Sequence, residues 1–521
     1  MKKNFFSINI QTKILIATLI LFSLLINQYY GNRGIFPVDS FSHFDTGFRI
    51  LLGEYPFKDY WVVSGPLIDY FQAILFFLFG VNWQSYVLHA SLMNVALTLA
   101  TFYVLRNFNF NIYYSFIYSL FFSILAYPNS GTPFVDHHSA FFSLLGIYSL
   151  ILGIKTEKKI FWILLPIFFV FGFLSKQVPT SYVVLSSILI LILFSLVKKK
   201  YYWIKYSTSS FILLILSILI FGKIQGISLT SFLNQYFFYP PSIGAKRIDN
   251  LIFTFNGLIG HFKFIYIALI PLFFINLKDI FSNKKYLKSN YFYYFLILIL
   301  FTFSLITHQI LTRNQTFIFF LIPILFSFSH IYFNNFKTAS NNFMPIILIL
   351  ICLFAVTKYH IRFNENRKFH ELNYVNFNLA SNGQEIDKKF AGLKWITPKY
   401  KEKPSEEINL INEVKIHLLG DNRTKMVITN YSFFSSILNE KLFSPSRWYI
   451  SDGTDYPLED NKYFSNYKNL LINLIKRNEI SVIYIIYPQK DSIIFKYLDR
   501  NCFKEIKVSK MLNSFEIKNC Y

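Results

Sequence analysis

The chain has 521 residues, 54% of them hydrophobic, 20% aromatic and only 15% charged, with a formal net charge of +23. Soluble domains carry roughly 25% charged residues, so this composition excludes an ordinary soluble protein and points to the membrane class. The excess Lys and Arg sits in short loops between apolar runs or in the C-terminal third. It forms no basic stripe of the kind groove binding needs, which argues against a nucleic-acid partner.

The first apolar run, 14–26, follows Lys2, Lys3 and Lys13. It has the flanks of a signal peptide, but Asn27-Gln28-Tyr29-Tyr30 lacks the small residues of a cleavage site, so an uncleaved first span is expected. Next, over 40–52, Phe41, Phe44, Phe48, Leu51 and Leu52 recur at helical spacing, with Ser42, His43, Asp45 and Arg49 opposite and Gly53 as a stop. This predicts an amphipathic helix on the membrane surface. Asp39 precedes it, either as its N-cap or as a general base near the bilayer.

A span needs about 20 mainly apolar residues. Candidates lie near 13–30, 83–105, 111–128, 138–154, 160–175, 178–197, 203–222, 262–277, 291–311, 314–333 and 343–357, about eleven in all. The stretch 65–80 is ambiguous, being short and containing Asp69 and Gln72. Short cytoplasmic loops are enriched in Lys and Arg. With the N-terminus cytoplasmic and 65–80 not crossing, the loops 106–111, 155–159, 198–205, 278–288 and the one holding Lys337 fall inside, and all are basic. The loops 127–137, 175–178, 223–261 and 311–314 then fall outside. Letting 65–80 cross inverts every assignment, so it is expected to lie on the outer face as a second interfacial helix. The expected fold is an α-helical polytopic membrane protein of the inner (cytoplasmic) membrane, with a transmembrane domain over 1–358.

Residues 359–521 read as a small extracytoplasmic α/β domain. Helices are expected over 406–419 (Ser405 as cap, Gly420 as stop), 432–438, around 470–475 and over 491–498. Buried strands are expected at 425–429 and 480–487, and a hairpin at 503–510 and 515–519. Cys502 and Cys520 flank that hairpin, with a disulfide and two free thiols left as alternatives; Cys352 reads as a packing residue. Trp448 is either a core aromatic or a platform for a sugar ring.

The expected outer face collects the polar residues. Asp136-His137-His138 opens the fourth span after the turn 128–133, Asp136 being a cap or a used acid. His137 and His138 diverge by about 100° on a helix, so joint ligation of a metal is not expected, and nothing in the pattern requires a cofactor. Lys58, Lys176-Gln177 in a very short outer turn, Arg247 in the long outer loop, and His308 and Arg313 at the end of a span add cations on the same side. Lys176 runs against the positive-inside bias.

The stretch Val38-Asp39-Ser40, Leu52-Gly53-Glu54-Tyr55-Pro56, Asp59-Tyr60-Trp61, Gly65-Pro66-Leu67 and Phe79-Gly80 resembles the first outer loop of the GT-C glycosyltransferases. It is most similar to the bacterial branch related to protein O-mannosyltransferases and the lipid A aminoarabinose transferase. The resemblance implies a multi-span core with two juxtamembrane helices, a polyprenyl-phosphate-linked sugar as donor, and a lipid, glycan or protein acceptor. It implies Asp39 as the loop acid near the acceptor and Asp136 as a second acid. Lys58, Lys176, Gln177, His137, His138, Arg247 and Arg313 are then the residues for the donor phosphate and substrate. Two departures stand: Ser40 follows Asp39 where a second acid is common, and Val63-Ser64-Gly65 precedes Pro66-Leu67 where the aminoarabinose branch has Lys. An O-antigen-type polymerase or ligase and a lipid-linked sugar flippase are the alternatives. The first usually has an Arg-rich outer loop and no such C-terminal domain; the second predicts internal repeats and midplane charges.

Overall fold

The structure, a computed structural model, describes residues 10–249, 253–282, 284–313, 317–335 and 343–518, the side chains of 245–249 and 284 excepted. Every apolar segment expected to span forms a helix. In chain order these are α1 (Ile10–Gly31), α5 (Trp83–Asn107), α6 (Ile112–Ala126), α7 (Val135–Thr156), α8 (Lys159–Ser175), α9 (Gln177–Lys198), α10 (Tyr202–Ile224), α13 (Lys263–Ser282), α14 (Asn290–Leu311), α15 (Leu321–Asn335) and α16 (Phe343–His360). Among the described residues, eight helices are long and apolar enough to cross a membrane: α1, α5, α7, α9, α10, α13, α14 and the one beginning at Phe343. The other three, α6, α8 and α15, are shorter, at 15, 17 and 15 residues. The chain is a helical polytopic membrane protein with a small C-terminal β-containing region.

Burial separates the helices by role. α7 lies at the centre, packed by α5, α8, α9 and α14, and almost all of it is buried. α15 is enclosed by protein from Leu321 to Tyr332, so its apolar residues meet other helices rather than lipid. α10 buries no residue, and Phe211, Leu213, Leu216, Ile220 and Phe221 are exposed on it. In water such a surface would be untenable; it is the surface a helix presents to acyl chains.

Between α1 and α5 lie α2 (Pro37–Ser40), α3 (Ser42–Leu51) and α4 (Pro66–Phe79). At 14 residues, α4 reaches about 21 Å, short of the roughly 30 Å hydrocarbon core. Its polar residues Asp69 and Gln72 point into the protein while Ile74, Phe77, Leu78 and Phe79 are exposed, an inside-out amphipathicity suited to an apolar surrounding. The expectation for α3 needs correcting. It does not lie open on a surface: Ser42 through Arg49 are all buried. The reason is the C-terminal region, which covers it. Phe41 and Phe44 share a core with Trp83, Phe390, Trp395 and Phe433, while Arg49 bonds Glu54 at 2.7 Å and the Ser444 carbonyl at 2.8 Å.

After α10 the chain runs through α11 (Leu229–Phe232), a π-helical turn (Leu233–Phe238) and α12 (Tyr239–Asp249). Tyr239 donates to the Gly453 carbonyl at 2.5 Å, tying this loop to the C-terminal region.

Beyond α16, a two-stranded pair, β1 (Ser381–Asn382) and β2 (Lys394–Trp395), precedes α17 (Pro404–Gly420). Ser405 is not the cap of α17; Lys403 holds that position without a side-chain bond, and Pro404 opens the helix. β3 (Lys425–Ile428) and β4 (Val482–Ile486) pair in parallel, and every residue of both is buried. β5 (Phe503–Lys507) and β6 (Leu512–Ile517) form the expected hairpin, giving the order β3-β4-β6-β5. The helices α18 (Phe434–Leu438), α19 (Phe464–Arg477) and α20 (Ser492–Phe495) fall within or across the expected segments. Cys502 is disulfide-bonded, Cys352 is a buried free thiol, and Cys520 lies outside the described residues.

Candidate active site beneath the C-terminal region

The turn before α7 brings the first acid into place. Gly131, at φ +70°, sits where an added Cβ would fall 2.3 Å from the Gly31 nitrogen, so α1 and this turn touch backbone to backbone. Asn27 on α1 locks the approach by donating to the Gly131 carbonyl at 3.0 Å. α7 therefore starts at a defined height, with Asp136 as its second residue. Asp136 caps nothing: the N-cap is Phe134, and no side chain bonds there.

Instead Asp136 receives Lys176. Both carboxylate oxygens accept from Lys176 Nζ at 2.8 Å, and His308 Nε2 lies 3.6 Å from Oδ1. Lys176 is held in turn, because Ser139 Oγ donates to its carbonyl at 3.0 Å and bonds Thr180 Oγ1 at 2.8 Å. Gln177 clamps the same turn, donating to the carbonyls of Val63 and Tyr236, each at 2.8 Å. A buried carboxylate paired bidentately with an ammonium that is still 23% exposed leaves a cation facing an opening.

That opening is a cavity of about 430 Å³. Asp39, His43, Asp136, Lys176, Gln177 and His308 line it from the helical side, and Trp448, Ile450 and Asp452 from the C-terminal region. Asp39 lies in α2, whose N-cap is Phe36, so it is not a cap either. Burial, reinforced by the nearby charges of Asp136 and Glu371, pushes its carboxyl up to about 7.

Beside Asp39 stands a network for which the sequence reading assigned no role. His43 Nδ1 bonds Asp69 Oδ1 at 2.7 Å, and Thr46 Oγ1 donates to the same oxygen at 2.6 Å. The Arg447 guanidinium lies 3.5 Å from Asp69 Oδ2 and donates to the Ser64 carbonyl. The Arg447 and Trp448 amides donate to Asp455, whose buried carboxyl is pushed up to about 7 despite the arginine. Burial lowers His43 even though Asp69 opposes it, so its ring is held neutral. Gly65, at φ +74°, makes room: an added Cβ would stand 2.7 Å from the His43 ring. The available signal was Asp69 itself, a charge inside an apolar helical stretch.

The remaining expected site residues are dispersed. His137 is buried in the core, stacked on Phe141 at 5.5 Å and edge-on to Phe317. His138 points elsewhere and meets His89 Nε2 at 3.2 Å. Neither lines the cavity, because successive side chains on a helix diverge and the opening takes only the direction of Asp136. Lys58 lines a separate hollow, with its Nζ donating to the Gln225 carbonyl at 3.3 Å. Arg313 is exposed just past α14, at φ +53°, and is not among the cavity's lining residues. The Arg247 side chain lies outside the described residues. Trp448 is partly buried, packed against the C-terminal core on one side and facing the cavity on the other. Among the described residues no group of three or more His, Cys, Asp or Glu side chains is spaced to hold a metal ion.

No protein-family model matches the chain, and no curated protein matches it. Among solved structures, the crystal structure of ArnT from Cupriavidus metallidurans bound to undecaprenyl phosphate is similar over 97% of this chain and 97% of that one, with 8% sequence identity and a TM-score of 0.47.

Proposed function

We propose that the chain is a membrane glycosyltransferase that moves a sugar from a polyprenyl-phosphate carrier to an acceptor bound in the cavity. The observation that carries this reading is the convergence of Asp39, the Asp136–Lys176 pair and Trp448 on one cavity at the end of a bundle of apolar helices. The resemblance of the first loop to GT-C enzymes adds the donor class.

In this mechanism the lipid tail lies against the exposed apolar helices and the phosphate meets Lys176. The acceptor hydroxyl gives its proton to the Asp39 carboxylate as its oxygen bonds the anomeric carbon. The bond from that carbon to the phosphate oxygen breaks, and the electron pair stays on the lipid phosphate, stabilised by Lys176. Asp136 holds Lys176 in position. The neutral His43, oriented by Asp69, offers a hydrogen-bonding partner to the acceptor. The segment 239–244, which walls the cavity through Pro240, Ile243 and Gly244, acts as a cover over bound substrate. The Cys502 disulfide supports an oxidising compartment for this end of the molecule, and hence the extracytoplasmic face.

The test is reconstitution in vesicles with radiolabelled polyprenyl-phosphate hexose and an extracted envelope acceptor, following release of lipid phosphate. Turnover that is lost in Asp39→Asn and Lys176→Gln supports the reading. Turnover unchanged in both variants overturns it.

A further inference from the structure

A second hollow of about 300 Å³ lies apart from the transfer cavity, and Lys58 belongs to it. Phe57, Lys58 and Trp61 line this hollow, whereas Val63 and Ser64 line the transfer cavity, so the short run 57–64 is the partition between the two. The opposite wall is one stripe of α19. Asn466, Asn469, Asn473 and Arg477 recur at spacings of three and four residues, and all four are exposed. The floor carries Asn234, Ser228 and Ser231.

The chemistry of this lining is unusual for its uniformity. An amide presents two donors and an acceptor, a hydroxyl one donor and two acceptors, so the walls mix both senses at every point. Among the described residues, the side chains of Asn234, Asn466, Asn469 and Asn473 make no hydrogen bond. Among the described residues no carboxylate lines the hollow. Arg477 is engaged by Asp59 at 2.5 Å, while among the described residues Lys58 meets a backbone carbonyl and the Tyr55 ring. At the inner end the Trp61 side chain is 1% exposed, its ring packed edge-on against Tyr239 and Tyr467 as a fixed wall. Leu470 adds an apolar patch for the C–H face of a ring. Vicinal hydroxyls, each both donor and acceptor, match such walls. A simple anion does not, since one ammonium is the whole unengaged charge.

We infer that this hollow is a carbohydrate-binding site, distinct from the transfer cavity, that takes one or two rings of a sugar chain carrying an anionic substituent. The rings lie on the asparagine stripe and Leu470, and the anionic group meets Lys58. Its volume sits at the lower end of the roughly 300–1,000 Å³ of small-molecule sites, which fits a short segment of a longer chain. The inference concerns binding and does not depend on the transferase reading.

The experiment is saturation-transfer NMR and calorimetry on the detergent-purified full chain, with tri-galacturonate, maltotriose and inorganic phosphate as probes. Tri-galacturonate is expected to bind saturably and maltotriose more weakly. An N469A/N473A variant, which changes exposed side chains and should keep its thermal transition, is expected to lose about tenfold in affinity for both sugars. Lys58→Gln should weaken tri-galacturonate and leave maltotriose unchanged. The inference is overturned if neither sugar binds saturably, if both bind N469A/N473A as tightly as the parent, or if phosphate alone displaces tri-galacturonate completely.

Discussion

Lys176 donates to both carboxylate oxygens of Asp136 at 2.8 Å, joining residues 40 positions apart across the mouth of the cavity. Asp136 is almost fully buried and meets the ammonium with both of its oxygens. Breaking the pair from one side leaves a buried charge uncompensated. Lys176→Gln is therefore expected to cost about 3 kcal/mol of stability, at the low end for a buried pair because the lysine keeps some exposure. Adding Asp136→Asn should restore most of that stability but none of the turnover. Thermal unfolding in detergent and the lipid-phosphate assay together read both outcomes.

Asp39 governs a pH dependence in two senses. Its carboxyl is held at about 7, far above its ordinary value, by burial and by Asp136 and Glu371. In the proposed role of base it works ionised, so turnover should rise with pH through about 7 and then level off. Stability runs the other way. The folded state keeps this proton where the unfolded chain has released it, so the contribution is complete at acid pH and is lost as pH rises from the unfolded carboxyl value to about 7. Asp39→Asn should abolish the rise in turnover and flatten this part of the stability profile, leaving the variant more stable than the parent above pH 7. A parent profile flat between pH 5 and 8 would contradict the assignment.

Arg447 holds the C-terminal region to the first loop. Its guanidinium is buried against Asp69 and the Ser64 carbonyl, and its own amide is bonded by Asp455. Arg447→Met should destabilise by about 3–5 kcal/mol, because Asp69 is left buried beside a neutral side chain. Arg447→Lys should recover only part of this, as one ammonium cannot serve Asp69 and Ser64 from the same fork. Protease sensitivity of the region beyond residue 360 is the direct readout.

Trp448 is expected to act on binding rather than on folding. The ring packs along one side on the C-terminal core, carries the Arg447 guanidinium at 4.8 Å, and faces the cavity. Trp448→Ala should raise KM for the sugar-lipid donor about three- to tenfold, the usual worth of one aromatic contact, with kcat little changed. A loss confined to kcat would assign the ring to positioning of the reacting groups instead.

Asp136 and Lys176 were both legible as polar residues where an apolar chain turns, and the loop charges set them on one side. The divergence of the two histidines after Asp136 follows from helical rotation, but their partners do not: His137 stacks on Phe141 and His138 meets His89. Lys58 shares the first loop with Asp39, but it belongs to the run 57–64 that separates the two cavities and faces the other one.

The positions of the apolar helices, the short α4, the buried strands β3 and β4 and the final hairpin follow from the sequence by itself. Each rests on a local quantity: the length of an apolar run, its period, or the residue that ends it. What only the tertiary structure decided is the partner of each polar group. His43 and Asp69 are 26 residues apart and Arg447 and Ser64 are 383 apart, and no periodicity in the chain links such positions. The same holds for α3. Its sequence carries the pattern of a surface helix, and it became an interior one because a region more than 340 residues later in the chain closes over it, as the Ser435–Asp45 bond across 390 residues records.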